Sequence, residues 1–120
     1  MVYFYDSYAI IEILEENQNY INFKDEIIFT SVLNLFEVYY YLLRVYDKKT
    51  ADFWVNNFDF NFLELIPEIS IEASKLRFEN KKKDLSLTDC VGYILAINNN
   101  LKFLTGDSKF ENMENVEFIK

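Results

Sequence analysis

The sequence predicts one α/β domain with a mostly parallel sheet. Three observations point there. Short β-branched or aromatic runs alternate with segments of helical period, no repeat or Gly/Ser linker interrupts the 120 residues, and only two Gly and one Pro break the chain. The length suits one ordinary domain, and a chain that is 51% hydrophobic buries a real core. Residues 1–120 are therefore read as a single domain.

Val2–Tyr5 reads as a buried strand ending at Asp6. Ser7–Glu16 carries Ile10, Ile11, Ile13 and Leu14 among glutamates, a helical period. Asn17–Lys24 is polar, a short helix or a loop. Glu26–Phe29 is the second strand, and Thr30 or Ser31 caps a long helix running to about Tyr46. Lys48–Asn57 is a further helix, and Phe62–Ile66 a third strand stopped by Pro67. Ser70–Lys81 is an amphipathic helix ending in the lysine run Lys81–Lys83. Ser86–Asn98 is the next, with Asn98–Asn100 as its breaker. Leu101–Leu104 and Val116–Ile119 complete the set as the fourth and fifth strands.

Composition narrows the chemistry. Twelve Phe, nine Tyr and one Trp, 18% of the chain, mark a packed globular protein. Twenty acidic against twelve basic residues leave a charge of −8, which argues against affinity resting on a broad basic surface. Without His there is no Ser-His-Asp or Cys-His hydrolase and no imidazole-bound metal. The single Cys90 can form neither an intramolecular disulfide nor a thiolate zinc site. MVYFYD lacks a basic n-region and is not a signal peptide, and no apolar run approaches the ~20 residues of a membrane span. The expected location is cytoplasmic. If the protein is an enzyme, carboxylates, hydroxyls or lysines must do its chemistry.

Four carboxylates occupy informative places. In an open parallel sheet, ligands bind beyond the carboxyl ends of the strands, and Asp6 follows VYFY as Asp107 follows KFLTG. Each has a local alternative: Asp6 can cap the next helix, and Asp107 can shape a turn. Glu37 lies mid-helix in VLNLFEVYYYLL, with Leu33, Asn34, Tyr40 and Tyr41 on its face and no cation at i±3 or i±4. Burying it unpaired would cost on the order of several kcal/mol. Either that face meets solvent or something positive sits against it, and a bound cation is the simplest candidate. Asp89 opens the helix LSLTDCVGYILAI, where the alternative is a capping box with Ser86. Gly92, one turn on, leaves room for a close backbone approach.

Gathered at one sheet edge, these four groups would form a hard, oxygen-only site suited to Mg²⁺ or Mn²⁺. That chemistry is metal-assisted hydrolysis, with a phosphodiester as the expected substrate. Mutual repulsion would leave the metal-free site partly protonated or disordered, and metal would stabilise it.

The order of these pieces resembles the PIN-domain nucleases, especially the VapC-type toxins of prokaryotic toxin–antitoxin pairs. The matching pieces are the strand closed by Asp6-Ser7, TSVLNLFEVYYYLLR with Glu37, LSLTDCVGYILAINNN with Asp89, and FLTGDSKF with Thr105 and Asp107. The resemblance implies a Rossmann-like three-layer α/β/α fold with strand order 3-2-1-4-5 and RNA cleavage dependent on Mg²⁺ or Mn²⁺. It makes Asp6, Glu37, Asp89 and Asp107 the metal ligands, with products bearing a 5′-phosphate and a 3′-hydroxyl. Thr105, and Ser7 or Ser31, would hold carboxylates or phosphate by hydrogen bonds. Homodimerisation and a blocking antitoxin protein are also implied.

Two departures stand out. Many relatives carry an acidic residue where this chain has Lys109; Glu111 is the candidate substitute, and the number of metals stays open. The charge of −8 leaves RNA binding to the metals and to local cations such as Lys81–Lys83, Arg44 or Lys109. For the lysine run the preferred reading is a solvated helix end. The aromatic-rich stretch 53–62 and Tyr39–Tyr41 are either core filling or an interface for a partner. A phosphoacceptor signalling domain is excluded, because Asp6 is followed by Ser7 and the third strand ends in Ile66-Pro67. The alternative that stands is a catalytically weak or inactive PIN-like module acting by protein or RNA binding.

Overall fold

A computed structural model describes residues 2–120. Strands β1 (Tyr3–Tyr5), β2 (Ile28–Thr30), β3 (Phe60–Phe62), β4 (Lys102–Thr105) and β5 (Val116–Phe118) form one sheet in the order β3-β2-β1-β4-β5. Every pair is parallel, so the expected strand order is realised. Between the strands run α1 (Ser7–Leu14), α2 (Val32–Val45), α3 (Lys48–Asn57), α4 (Pro67–Glu79) and α5 (Leu87–Asn98). Short 3₁₀ turns cover Gln18–Phe23, Lys81–Lys83 and Ser108–Phe110.

The layers follow from the period of two along each strand. Phe4 and Phe103 face one way and pack with Ile69 and Ala73 of α4 and Val91, Leu95 and Ala96 of α5. Tyr5 and Leu104 face the other way, against Ala9 and Ile10 of α1, Val38 and Leu42 of α2, and Ala51 of α3. Both faces of the central strand are covered, which is why its residues are apolar throughout. Among the described residues no helix is long and apolar enough to cross a membrane.

Several boundaries differ from the sequence expectation, each for a pairing reason. The second strand runs Ile28–Thr30 instead of Glu26–Phe29, because Phe29 registers with Phe4 and the Thr30 hydroxyl donates to the Tyr5 carbonyl at 2.8 Å. The third runs Phe60–Phe62 instead of Phe62–Ile66. Its only neighbour, β2, ends at Thr30, and the N–H of Leu63 donating to the Thr30 carbonyl is the last rung. Pro67 stops no strand directly: it occupies the first turn of α4, which therefore starts three residues earlier than expected.

The aromatic stretch 53–62 is neither simple core nor a free surface. Phe53, Trp54, Phe58, Phe60 and Phe62 form a chain of neighbouring rings along α3 and the edge strand, with centroids 5.3 to 6.1 Å apart. Phe53 and Phe62 at its two ends stay exposed, as does Tyr40.

The two glycines reverse the expected emphasis. Beside Gly92 the space is taken by the Phe4 and Phe103 rings, not by backbone; a Cβ there would lie 3.0 and 3.3 Å from them. At Gly106 the approach is to backbone, since a Cβ would fall 2.3 Å from the Ile119 carbonyl oxygen and 2.4 Å from the Tyr8 ring. Gly106→Ala should therefore destabilise by about 3 kcal/mol or more, whereas Gly92→Ala, facing rings that shift slightly, should cost about 1 kcal/mol. Equilibrium urea unfolding of both variants measures the difference, and equal costs would contradict it.

Candidate functional site

Strands β1 and β4 end side by side, and the N–H of Asp6 donates to the Leu104 carbonyl at 3.1 Å. That ladder places Asp6 and Thr105 together at the carboxyl edge of the sheet, although they are 99 residues apart in sequence. Asp6 is 3% exposed, and its Oδ2 accepts from the Thr105 hydroxyl at 2.7 Å. Its side chain makes no capping bond to α1, so the helix-cap alternative does not account for it. Thr105 is also buried and takes a second role: its Oγ1 accepts from the Asp107 N–H at 3.1 Å.

The other three carboxylates reach the same edge from separate elements. Asp89 lies in the first turn of α5, and its Oδ2 accepts from the Ser86 N–H at 2.9 Å while its own N–H donates to Ser86 Oγ at 3.1 Å. The capping box is thus real. It engages one carboxylate oxygen and leaves the other uncommitted. Asp107 follows β4, and its Oδ1 accepts from the Lys109 N–H at 3.0 Å, so its turn-forming role is real too. For Glu37, of the two alternatives left open, the structure shows the first: its face reaches solvent and the residue is half-buried. Its protein partner is a hydroxyl, Ser7 Oγ donating to Oε1 at 2.6 Å.

Burial and like charge act together on this group. Loss of solvent pushes the Asp6 carboxyl up to about 7; the Thr105 hydroxyl opposes this, and the fields of Asp89 and Glu37 add to it. Asp89 is raised as well, first by burial and then by Asp107, against its Ser86 bonds and the field of Lys109. The four groups therefore feel one another. Among the described residues the ion pairs are Lys48–Asp52 and Lys75–Glu72, and neither involves the quartet.

A residue that sequence reasoning passed over completes the site. Asn34 is fully buried in α2. Its Nδ2 donates to Ser7 Oγ at 2.9 Å, and its Oδ1 accepts from Ser31 Oγ at 2.6 Å. A carboxylate can only accept, so Ser7 must give its proton to Glu37 and accept from Asn34. Ser31 likewise accepts from the Asn34 N–H at 3.2 Å and gives its proton to the Asn34 carboxamide oxygen. Hydrogen bonds thus run one way, Ser31 to Asn34 to Ser7 to Glu37. Ser31, expected to hold a carboxylate or phosphate directly, acts through both Asn34 and Ser7. The available signal was the spacing of Ser31, Asn34 and Glu37 at successive intervals of three, one face of a helix.

Lys109 stands where an acid was expected from the resemblance, and its ammonium donates to the Asp84 carbonyl at 3.1 Å. Glu111, the candidate substitute, is exposed. The donor set, oxygen only and without His or Cys, fits a hard cation such as Mg²⁺ or Mn²⁺. Spacing is the other side of the test. Among the described residues no three Asp, Glu or Cys side chains are gathered closely enough to hold one ion. The protein donors account for that: Thr105, Ser7, Ser86 and the Lys109 N–H each hold one carboxylate, and like charges resist closing.

The PIN-domain sequence profile matches residues 3–116. The comparison with curated proteins finds no match. Three solved structures superpose over nearly the whole chain. A toxin–antitoxin complex from Klebsiella pneumoniae aligns at TM-score 0.76 and 17% identity, over 96% of this chain and 95% of that one. VapBC2 from Rickettsia felis, bound to a DNA fragment from its promoter, aligns at TM-score 0.73 and 19% identity over 99% and 98%. Mycobacterium tuberculosis VapC20, a toxin that cleaves the sarcin–ricin loop, aligns at TM-score 0.77 and 14% identity over 98% of both. At these identities the three share the fold.

The raised Asp6 carboxyl makes a pH prediction for the metal-free protein. Between about 4, where the unfolded carboxyl titrates, and about 7, the folded chain binds the extra proton, so Asp6 makes stability fall as pH rises. The slope from this one group is at most about 1.4 kcal/mol per pH unit. Urea unfolding in EDTA across that window should show the fall, and Asp6→Asn should flatten it. An unchanged slope in the variant would assign the dependence to other groups.

Proposed function

This chain belongs to the PIN-domain family, and from that premise we propose that it is a metal-dependent endoribonuclease, the toxin of a toxin–antitoxin pair. The observation that carries the reading is the buried Asp6 carboxyl at the tip of the central strand, in the fields of Asp89 and Glu37, with no ion pair to the quartet among the described residues. A scaffold has no use for such an arrangement; a cation-dependent site does.

In this reading Asp6, Glu37, Asp89 and Asp107 hold Mg²⁺ or Mn²⁺. The chemistry supplied by the ion when bound is polarisation of the scissile phosphate and acidification of the attacking water. The chain's own residues prepare for it. Thr105 orients Asp6, and Ser7, itself set by Asn34, orients Glu37. The Ser86 cap fixes Asp89 at the start of α5, where the helix dipole favours negative charge. Products with a 5′-phosphate and a 3′-hydroxyl follow from the resemblance. The same reading makes RNA the substrate, a second copy of the chain and an antitoxin protein the partners, and the cytoplasm the location. The Klebsiella and Rickettsia structures, both toxin–antitoxin assemblies, support an antitoxin partner. The open spacing of the carboxylates favours a second reading, a PIN-like module that binds protein or RNA without cutting it.

Cleavage of total RNA with Mg²⁺ or Mn²⁺, and its loss in EDTA, separates the two. Asp6→Asn and Glu37→Gln should each lower the rate by about 100-fold or more, and Ser7→Ala by about 10-fold. Mn²⁺ should also raise the melting temperature of wild type and not of Asp6→Asn. Equal residual cleavage in wild type and variants would mark a contaminating nuclease and end the catalytic reading.

A further inference from the structure

The chain is acidic, yet its cations are not spread evenly. From Arg77 to Asp84, four cations meet two carboxylates, a local excess of positive charge in a chain of net −8. This segment ends α4 and forms the 3₁₀ turn Lys81–Lys83, where all three lysines are exposed. Beside them Phe78 is 70% exposed, a larger exposure than an isolated core-facing ring would leave. The Lys81 ammonium sits 4.1 Å from the Phe78 ring centroid, and the exposure is measured with it in place, so the ring still offers open surface. Phe78, Asn80 and the three lysines line an open cleft of about 390 Å³, with Glu79 at its side.

Lys109 ties this cleft to the carboxylate edge. Its backbone carbonyl accepts from Lys83 Nζ at 3.5 Å, and its ammonium donates to the Asp84 carbonyl at 3.1 Å. On its other side its N–H holds Asp107, and its charge eases the Asp89 carboxyl. One residue thus touches the basic turn and Asp107, and its field reaches Asp89.

We propose that Phe78 and Lys81–Lys83 form a binding subsite for single-stranded RNA, which leads an unpaired stretch of the strand to the carboxylate edge. The proposal rests on the nuclease reading for what happens at that edge, and not for binding itself. An exposed aromatic ring amid flexible cations is the combination that holds unpaired nucleic acid: the ring stacks on a base, and the ammonium groups follow the phosphates. A duplex hides its base faces and cannot use the ring. An acidic peptide would satisfy the lysines but not the ring. When a base takes the Phe78 face, the Lys81 ammonium is freed for a phosphate. The arrangement also answers how a protein of −8 attracts RNA: by a local patch, with the remaining surface repelling the strand elsewhere.

Fluorescence anisotropy with a short labelled oligo(U), in EDTA so that nothing is cut, tests this across a salt series. Replacing Lys81, Lys82 and Lys83 together by Ala should weaken binding and lower the slope of log K against log salt by about 2, three phosphate contacts at ~0.7 each. Phe78→Ala should weaken binding about tenfold at every salt concentration with the slope unchanged, because stacking releases no counterions. A labelled RNA duplex should bind weakly and be indifferent to Phe78→Ala. All four positions are exposed, so the variants should fold, which circular dichroism would check. Oligo(U) binding that neither variant alters overturns the subsite. So does poly-glutamate binding as tightly as oligo(U) with Phe78→Ala silent, which would reduce the cleft to general anion attraction. If wild type binds through these residues but cleaves no RNA with Mn²⁺, the nuclease reading fails and the subsite stands. If it cleaves and the variants keep the same KM, the reverse holds.

Discussion

A carboxyl group carried to the buried tip of a central strand needs support. Here the support for Asp6 comes from Thr105, at the tip of the neighbouring strand. That bond joins two strands, and through the second bond of the Thr105 hydroxyl it also sets the start of the turn that carries Asp107. The Asp6 side chain is nearly out of solvent, so the site cannot relax by hydrating it. Raising its proton affinity is the remaining route, and the fields of Asp89 and Glu37 push the same way. The geometry of the edge therefore reads as a response to one desolvated acid.

The carboxylates also show how one residue serves two structural levels. Asp89 closes the capping box of α5, and Asp107 stabilises the turn after β4. In both cases the local bond is real and does not exhaust the residue, since a carboxylate has two oxygens and that bond occupies one of them. Such double use holds the acidic groups in place before any ligand arrives. It also keeps them apart, because each is turned toward its own donor.

Much of this was legible in the residues. The strand-end positions of Asp6 and Asp107, the Ser86 cap and the parallel alternation depend on local pattern, and local pattern is what a sequence displays. From its apolar neighbours Glu37 could be either solvent-facing or set against a cation. Its half-burial depends on Phe36 and Tyr40 being left uncovered, which only the packing of α2 against the sheet decides. Asn34 was visible as a neighbour of Glu37, but its role needs Ser7, 27 residues earlier, to arrive at the same spot. The third strand was misplaced because a three-residue edge strand is defined by its partner, and the Phe-rich stretch supplies several equally plausible registers.

The order β3-β2-β1-β4-β5 has a consequence in time. The first strand made is the central one, and its β4 neighbour comes almost a hundred residues later, Tyr3 pairing with Lys102. During synthesis the amino-terminal half can build β3-β2-β1 and its helices, but one edge of β1 stays open. Thr105 and Asp107, and with them the support of Asp6, arrive only with β4 and the turn after it. Pairing at such separation is slow, because the loop entropy must be met before the contacts form. A growing chain therefore carries Asp6 without the Thr105 hydroxyl until β4 has been made.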